Sequence, residues 1–362
     1  MASINPEDLG GNVLTVEGLV EPEELGITLP HEHLFVRNIE SHEKFFEEIS
    51  SVVERNFAER KMCSEIRARV HKNFPGIKDN LVIDNKETVI DEVKEFYKAG
   101  GDTILDATTI GLGRDPIAVR EVSRSTNLNI IMGTGFYTEK NHPPFVANNT
   151  EKEIEEKIVE EITQGIDNTD IHAGCIGEIG LSNPIGKEEK KVLRATSTAA
   201  QKTGAPIHIH SSDYEDPSDI ALEGLDILEE MGVDLNRVIV DHMDHLLAYE
   251  NNINYQKLVA ERGAYVEFDI FGVDWYEASL EYECPTDQQR IEAAIELIEK
   301  GFENKILFSH DICTKGQLKK YGGLGFDHLL LNIIPRLKRV GINEKTINKI
   351  FIENPKRVLQ FR

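Results

Sequence analysis

Arg237-Val238-Ile239-Val240-Asp241-His242 is a short run of branched apolar residues closed by a metal-ligand side chain. Apolar runs of this length without polar alternation are how strands buried on both faces read. The design recurs in Gly26-Ile27-Thr28-Leu29-Pro30 before His31, Gly174-Cys175-Ile176-Gly177 before Glu178, Pro206-Ile207-His208-Ile209 before His210, and Lys305-Ile306-Leu307-Phe308-Ser309-His310 before Asp311. Glu178, His210, His242 and Asp311 follow one another at intervals of 32, 32 and 69 residues, close to one, one and two strand-helix repeats. Polar ligands at the C-terminal ends of successive parallel strands point to the working face of a barrel.

Outward from these runs, strands alternate with helical segments. Glu87–Tyr97, Asp115–Ser125, Glu188–Lys202, Asp219–Met231, Asn254–Arg262 and Ile291–Lys300 read as helices, and Ile154, Ile158, Val159 and Ile162 mark the apolar face of another. Asp115 followed by Pro116 is a helix-start signal. Eight strands ending near residues 33, 107, 133, 178, 210, 242, 269 and 311 predict an α/β fold, a (β/α)8 TIM barrel forming a single domain over residues 1–362. An open doubly wound sheet competes, but it would carry a glycine-rich phosphate loop after its first strand, where this chain has His31-Glu32-His33. Residues 12–26 read as an N-terminal hairpin, with Val13-Leu14-Thr15-Val16 as a strand and a turn at Glu21-Pro22-Glu23. Charged residues 40–86, broken at Pro75-Gly76, read as an insertion after the first strand that covers the barrel mouth.

With 362 residues and 40% hydrophobic content the chain can bury a core of that size. A formal net charge of −24 opposes binding to nucleic acid or anionic membrane. Cys63, Cys175, Cys284 and Cys313 include no CxxC pair and read as reduced thiols. Met1–Gly11 lacks the basic start and apolar core of a signal peptide, and no stretch approaches the roughly 20 apolar residues a membrane helix needs. The expectation is a soluble cytoplasmic protein acting on a small-molecule substrate, with pairing through outer helices into a homodimer.

His31 and His33 are separated by one residue, so on a strand both leave by the same face and reach one cation. Imidazole and carboxylate together suit Zn²⁺, with Mn²⁺, Co²⁺ or Fe²⁺ as alternatives. Glu178 sits in an apolar run where an unpaired carboxylate is costly; it is a buried ion pair, a hydrogen-bonded cap, or a bridge between two metals. Asp311 is either a cap or ion-pair partner of Lys315, or a ligand whose second oxygen takes a proton from activated water. His208 reads as a barrel-interior residue and His310 as structural, while Asp241, Asp244 and His245 read as groups that orient His242. Tyr137, Arg114 and Lys315 follow barrel strands and are candidate contacts for a negatively charged substrate group, with salt bridging the competing use of the two cations.

His31-Glu32-His33, Gly177-Glu178-Ile179-Gly180, His210, His242 and Ser309-His310-Asp311 resemble the phosphotriesterase-like branch of the amidohydrolase superfamily, and within it the phosphotriesterase-related proteins. Thr108–Asp115, Gly133-Thr134-Gly135-Phe136-Tyr137, Asp269-Ile270-Phe271-Gly272 and Lys319-Lys320-Tyr321-Gly322-Gly323 extend the likeness over nearly the whole chain. The resemblance implies a binuclear centre of two divalent ions, His31, His33 and Asp311 on the more buried one, His210 and His242 on the other, with Glu178 between them. Organophosphate-hydrolysing members carry a carboxylated lysine at the bridge, so Glu178 weakens the expectation of phosphotriester hydrolysis. The implied function is attack by a metal-activated hydroxide on a carboxylic amide, ester or lactone, such as an N-acyl amino acid or N-acetyltaurine-like amide. A metal-dependent phosphoesterase and a non-catalytic ligand-binding protein are the competing functions.

Overall fold

The computed structural model describes residues 3–211, 220–249, 252–273, 275–277 and 282–362. Eight parallel strands form one sheet in sequential order: β1 (Thr28–Glu32), β2 (Thr103–Asp106), β3 (Asn129–Thr134), β4 (Cys175–Gly180), β5 (Ile207–His210), β6 (Val238–Val240), β7 (Tyr265–Phe268) and β8 (Ile306–Phe308). The chain just after β8 returns to β1, where the Asp311 N–H donates to the His31 carbonyl at 3.2 Å, so the sheet curls into a (β/α)8 TIM barrel.

The strands are buried on both faces, and alternation sorts their side chains. Ile104, Ile130, Ile176, Val238, Val266 and Ile306 point outward under the helices. Their neighbours Leu105, Ile131, Cys175, Ile239, Tyr265 and Leu307 fill the lower interior, closed beneath by Val13, Leu25, Val358 and Leu359. Two residues further along the interior side, apolar gives way to polar: Ile239 is followed by Asp241, and Tyr265 by Glu267 and Asp269, all buried. The barrel is thus plugged with hydrocarbon at its base and charged above it.

Helices alternate with the strands as the periodicity predicts, with small shifts at their ends. Pro116–Thr126 starts where expected, Asp115 accepting from the Ala118 N–H at 3.0 Å. Asp287–Glu299 begins four residues before the predicted Ile291, because Thr286 and Gln289 cap each other's backbone N–H groups there. The predicted Asp219 start of the helix after β5 lies outside the described residues; Ile220–Glu230 is helical.

The N-terminal hairpin is present but turns elsewhere. Val13–Thr15 pairs antiparallel with Gly18–Val20, placing the turn at Val16-Glu17 rather than at Glu21-Pro22-Glu23. Thr15 decides this, its hydroxyl donating to the Gly18 carbonyl at 2.8 Å and accepting from the Glu17 N–H at 3.2 Å, while Gly18 supplies φ +118°. Pro22 opens a single 3₁₀ turn, Pro22–Leu25. The insertion holds helices Glu40–Glu48 and Val52–Ala58 and a small cluster of Met62, Ile66, Val70 and Ile77. It docks on the loop after β8, where the Gly316 N–H donates to Asn80 Oδ1 at 2.8 Å and Arg67 Nε to the Gly316 carbonyl at 3.1 Å. Among the described residues no helix is long and apolar enough to cross a membrane.

Candidate metal centre

His31 lies within β1 and His33 immediately follows it, both buried and facing the barrel axis. Glu32, between them, turns the other way and clasps the chain just after β8, where the barrel closes. Its Oε1 accepts from Ser309 Oγ at 2.9 Å and the His310 N–H at 3.0 Å, and its Oε2 from the Ile312 N–H at 2.9 Å. That clasp sets the backbone around Asp311. Asp311 and His242 both adopt left-handed backbone, at φ +47° and +58°, which costs a non-glycine residue about 1–3 kcal/mol and is tolerated where the surroundings impose it. For His242 the anchor is Asp269, whose carboxylate accepts the His242 N–H at 3.0 Å. Gly177 must lack a side chain, since a Cβ there would stand 2.4 Å from the His208 carbonyl. That absence lets β4 approach β5 and brings Glu178 to the axis.

The six predicted ligands converge as two sets. His33 Nε2 is 3.2 Å and His31 Nε2 3.8 Å from Asp311 Oδ1. His242 Nε2 is 2.7 Å from His210 Nδ1, and the two lie 3.1 and 2.5 Å from Glu178 Oε1. Glu178 Oε2 faces the first set, 3.7 Å from His33 Nε2, while its Oε1 stands 3.8 Å from His31 Nε2. Each set gathers three ligand atoms within 4.8 Å of one another. His31 Nε2 and Asp311 Oδ1 are buried and have no hydrogen-bond partner, as atoms that coordinate a cation would. Imidazole nitrogen and carboxylate oxygen at these spacings fit divalent first-row metals.

The rings are held from behind. His242 Nδ1 is 2.9 Å from Asp269 Oδ1, and His33 Nδ1 is 2.8 Å from Thr108 Oγ1. His31 Nδ1 stands 3.0 Å from Asp269 Oδ2, although off the line of a hydrogen bond. Each contact leaves Nε2 for the axis. Burial pushes the Glu178 carboxyl up, yet the facing His210, His242 and His31 outweigh it and hold it well below the usual carboxylate range. Asp269 is likewise buried but kept ionised by His242 and His31. Below them, burial and the neighbouring Asp269 charge push Glu267 up to about 7, and burial depresses His208 to about 3.

Tyr137 reaches the centre, its hydroxyl 3.0 Å from His210 Nε2. The two candidate substrate cations do not stand free. Arg114 is consumed by a bidentate pair with Glu161 at 2.7 and 2.8 Å and by Asp167 at 2.9 Å. Lys315 pairs with Asp79 of the insertion at 3.0 Å rather than with Asp311. His310 is structural as predicted, bound to Glu32 at 2.7 Å, and His208 is interior. The predicted orienting groups around His242 require correction. Asp241 faces His208 at 3.2 Å, Asp244 binds Arg290 Nε at 2.8 Å, and His245 pairs with the Tyr282 hydroxyl. Asp269, which the sequence places at a strand end and in the Asp269-Ile270-Phe271-Gly272 motif without a role of its own, orients His242 instead. Its signal was available: it lies two residues past Glu267 on β7, so both side chains face inward.

A sequence profile of the phosphotriesterase family matches residues 11–359. The chain is 39% identical to an N-acetyltaurine hydrolase from Dictyostelium discoideum, over 96% of this chain and 98% of that one. It is 37% identical to a phosphotriesterase-related protein from Nematostella vectensis, over 97% and 99%. Among solved structures, a resiniferatoxin-binding protein from Rhodobacter sphaeroides superposes with a TM-score of 0.92 at 32% identity, covering 99% of this chain and 98% of that one.

Proposed function

The chain belongs to the phosphotriesterase family, and from that premise we propose that it is a single-domain binuclear metal hydrolase of the cytoplasm that cleaves the amide bond of a small N-acylated acid, of which N-acetyltaurine is the leading example. The observation that carries the binuclear reading is the division of Glu178 between the two imidazole sets, Oε1 toward His210 and His242 and Oε2 toward His33. A carboxylate serving one cation would have no reason to address both.

Two divalent cations, Zn²⁺ first among them, would supply an activated water and polarise the substrate carbonyl. His31, His33 and Asp311 would hold one, His210 and His242 the other. Asp311 is the least buried of the six, its side chain 18% exposed, so it meets both the centre and the mouth. It accepts the proton of the attacking water and returns it to the leaving amine. Tyr137, 3.0 Å from His210, lines the side where the substrate oxygen would settle. The amide substrate draws support from the N-acetyltaurine hydrolase named among the relatives. A phosphoesterase gains less support, because Arg114 and Lys315 are already paired with carboxylates.

The test is metal analysis followed by assay of N-acetyltaurine, other N-acyl amino acids, lactones and aryl phosphates. Two metal ions flanking Glu178, with preferential amide cleavage, are expected. A fully loaded protein that turns over aryl phosphates faster than every amide would refute the amide assignment, and one that turns over none of them would leave a binding protein.

A further inference from the structure

Directly beneath the paired centre, His31, His208, Asp241 and Glu267 form a second buried ring of ligand atoms, all within 4.8 Å of one another. None of the four has any solvent exposure. They belong to the interior tier just above the apolar plug of Ile239, Tyr265 and Leu307, where β6 and β7 turn from hydrocarbon to carboxylate in a two-residue step. Asp241 Oδ2 and both oxygens of Glu267 have no hydrogen-bond partner, nor does His31 Nδ1. Buried carboxylate oxygens left in that condition are expensive, and among the described residues only histidines, no lysine or arginine, stand within ion-pair distance of either group.

The spacing says what would satisfy them. His208 Nδ1 is 3.2 Å from Asp241 Oδ1 and 3.9 Å from Glu267 Oε2. His31 Nδ1 is 3.7 Å from Asp241 Oδ2 and 3.6 Å from Glu267 Oε2. Charge-assisted hydrogen bonds would draw such pairs to about 2.7–2.9 Å. A tetrahedral cation with ligand distances of about 2.0–2.2 Å instead holds neighbouring ligand atoms about 3.3–3.6 Å apart, and the four separations, from 3.2 to 3.9 Å, straddle that spacing. We propose that His208, Asp241 and Glu267 bind a third divalent cation of the zinc type inside the barrel, with His31 Nδ1 at the fourth corner. With its Nε2 serving the cation above, His31 would then be shared by two ions as an imidazolate, its ring proton displaced by the second cation and released to solvent. Two imidazoles and two carboxylates make a donor set of the right hardness, and the two negative charges match a divalent ion. Such an ion would also press on His31 from behind, fixing the ring that presents Nε2 to the centre above. The site touches the proposed centre only through His31, because none of its carboxylates is a ligand of the upper pair.

Crystals of the full chain grown with zinc, with anomalous differences collected across the zinc edge, test it. Three peaks are expected, the lowest between His208 and Glu267, and elemental analysis should count three zinc ions per chain. Glu267→Gln, which keeps the shape and removes one charge, should lower the count to two and erase only the lowest peak. Should that variant fail to fold, the map of the unaltered protein decides alone. Two peaks flanking Glu178, with water or a direct contact between Asp241 and Glu267 at the third position, overturn the proposal and leave the hydrolase reading intact. Persistence of the lowest peak at full height in Glu267→Gln also overturns the ligand assignment.

Discussion

Asp269 is one carboxylate in contact with both halves of the centre, so its replacement by asparagine should weaken both cations unequally. In the structure Oδ1 lies 2.9 Å from His242 Nδ1 and Oδ2 lies 3.0 Å from His31 Nδ1. An asparagine retains one acceptor and turns an NH₂ group toward the other ring, forcing one imidazole to rotate or change tautomer. A hydrogen bond to a charged group contributes about 1.5–3 kcal/mol, which corresponds to about 10–150-fold in a dissociation constant. His242 has the well-aligned contact, whereas that of His31 is off line, so the cation beside His210 and His242 should suffer the larger loss. Competition between the zinc-loaded protein and a chelator of graded strength would resolve the two affinities. Thermal unfolding of the metal-free variant separates loss of ligand orientation from loss of fold. If both affinities stay within about twofold of the parent's, Asp269 does not orient the rings and the reasoning fails.

Asp311→Asn should keep an oxygen ligand while removing the proton acceptor, lowering turnover about 10²–10⁴-fold with metal content nearly unchanged; a near-normal rate removes Asp311 from proton transfer. Glu178→Ala should reduce the metal held among His31, His33, Asp311, His210 and His242 from two ions toward one, and two tightly held ions there would contradict a bridging role. Arg290→Met strands Asp244, which it contacts at 2.8 Å in full burial; a loss of about 3–5 kcal/mol in denaturant unfolding is expected, and a change below 1 kcal/mol would show the pair to be expendable. Although burial alone pushes Asp287 up, hydrogen bonds from His328 and the Gly272 N–H, together with the Arg290 charge, bring it down from 3.8 to about 2. Its folded value lies below its unfolded one, so its contribution is complete above that ordinary value and fades as pH falls toward 2. Asp287→Asn should therefore unfold more easily than the parent at pH 6, with the gap narrowing by pH 2.5; a constant gap would contradict the assignment.

The barrel and its six inward ligand-type side chains were legible from local pattern, because the interval from Glu178 to His210 and from His210 to His242 is the length of a strand-helix unit. Strand and helix periodicity is a near-neighbour property, and it carries the positions of β1 to β8 with errors of a few residues at their ends. Local pattern also predicted that Arg114 and Lys315 follow strands, yet gave no means of knowing that Glu161, Asp167 and Asp79 would claim them. The same limit hid Glu32, which closes the barrel by accepting hydrogen bonds from residues some 280 positions away, and Asp269, whose partners lie on other strands. Which oxygen of Glu178 faces which imidazole follows from the stagger of strands around a closed sheet. The sequence alone determined which side chains are able to bind metal and on which strand each sits; the tertiary structure alone decided their partners, because those contacts are made across the barrel axis, where separation along the chain says nothing about distance.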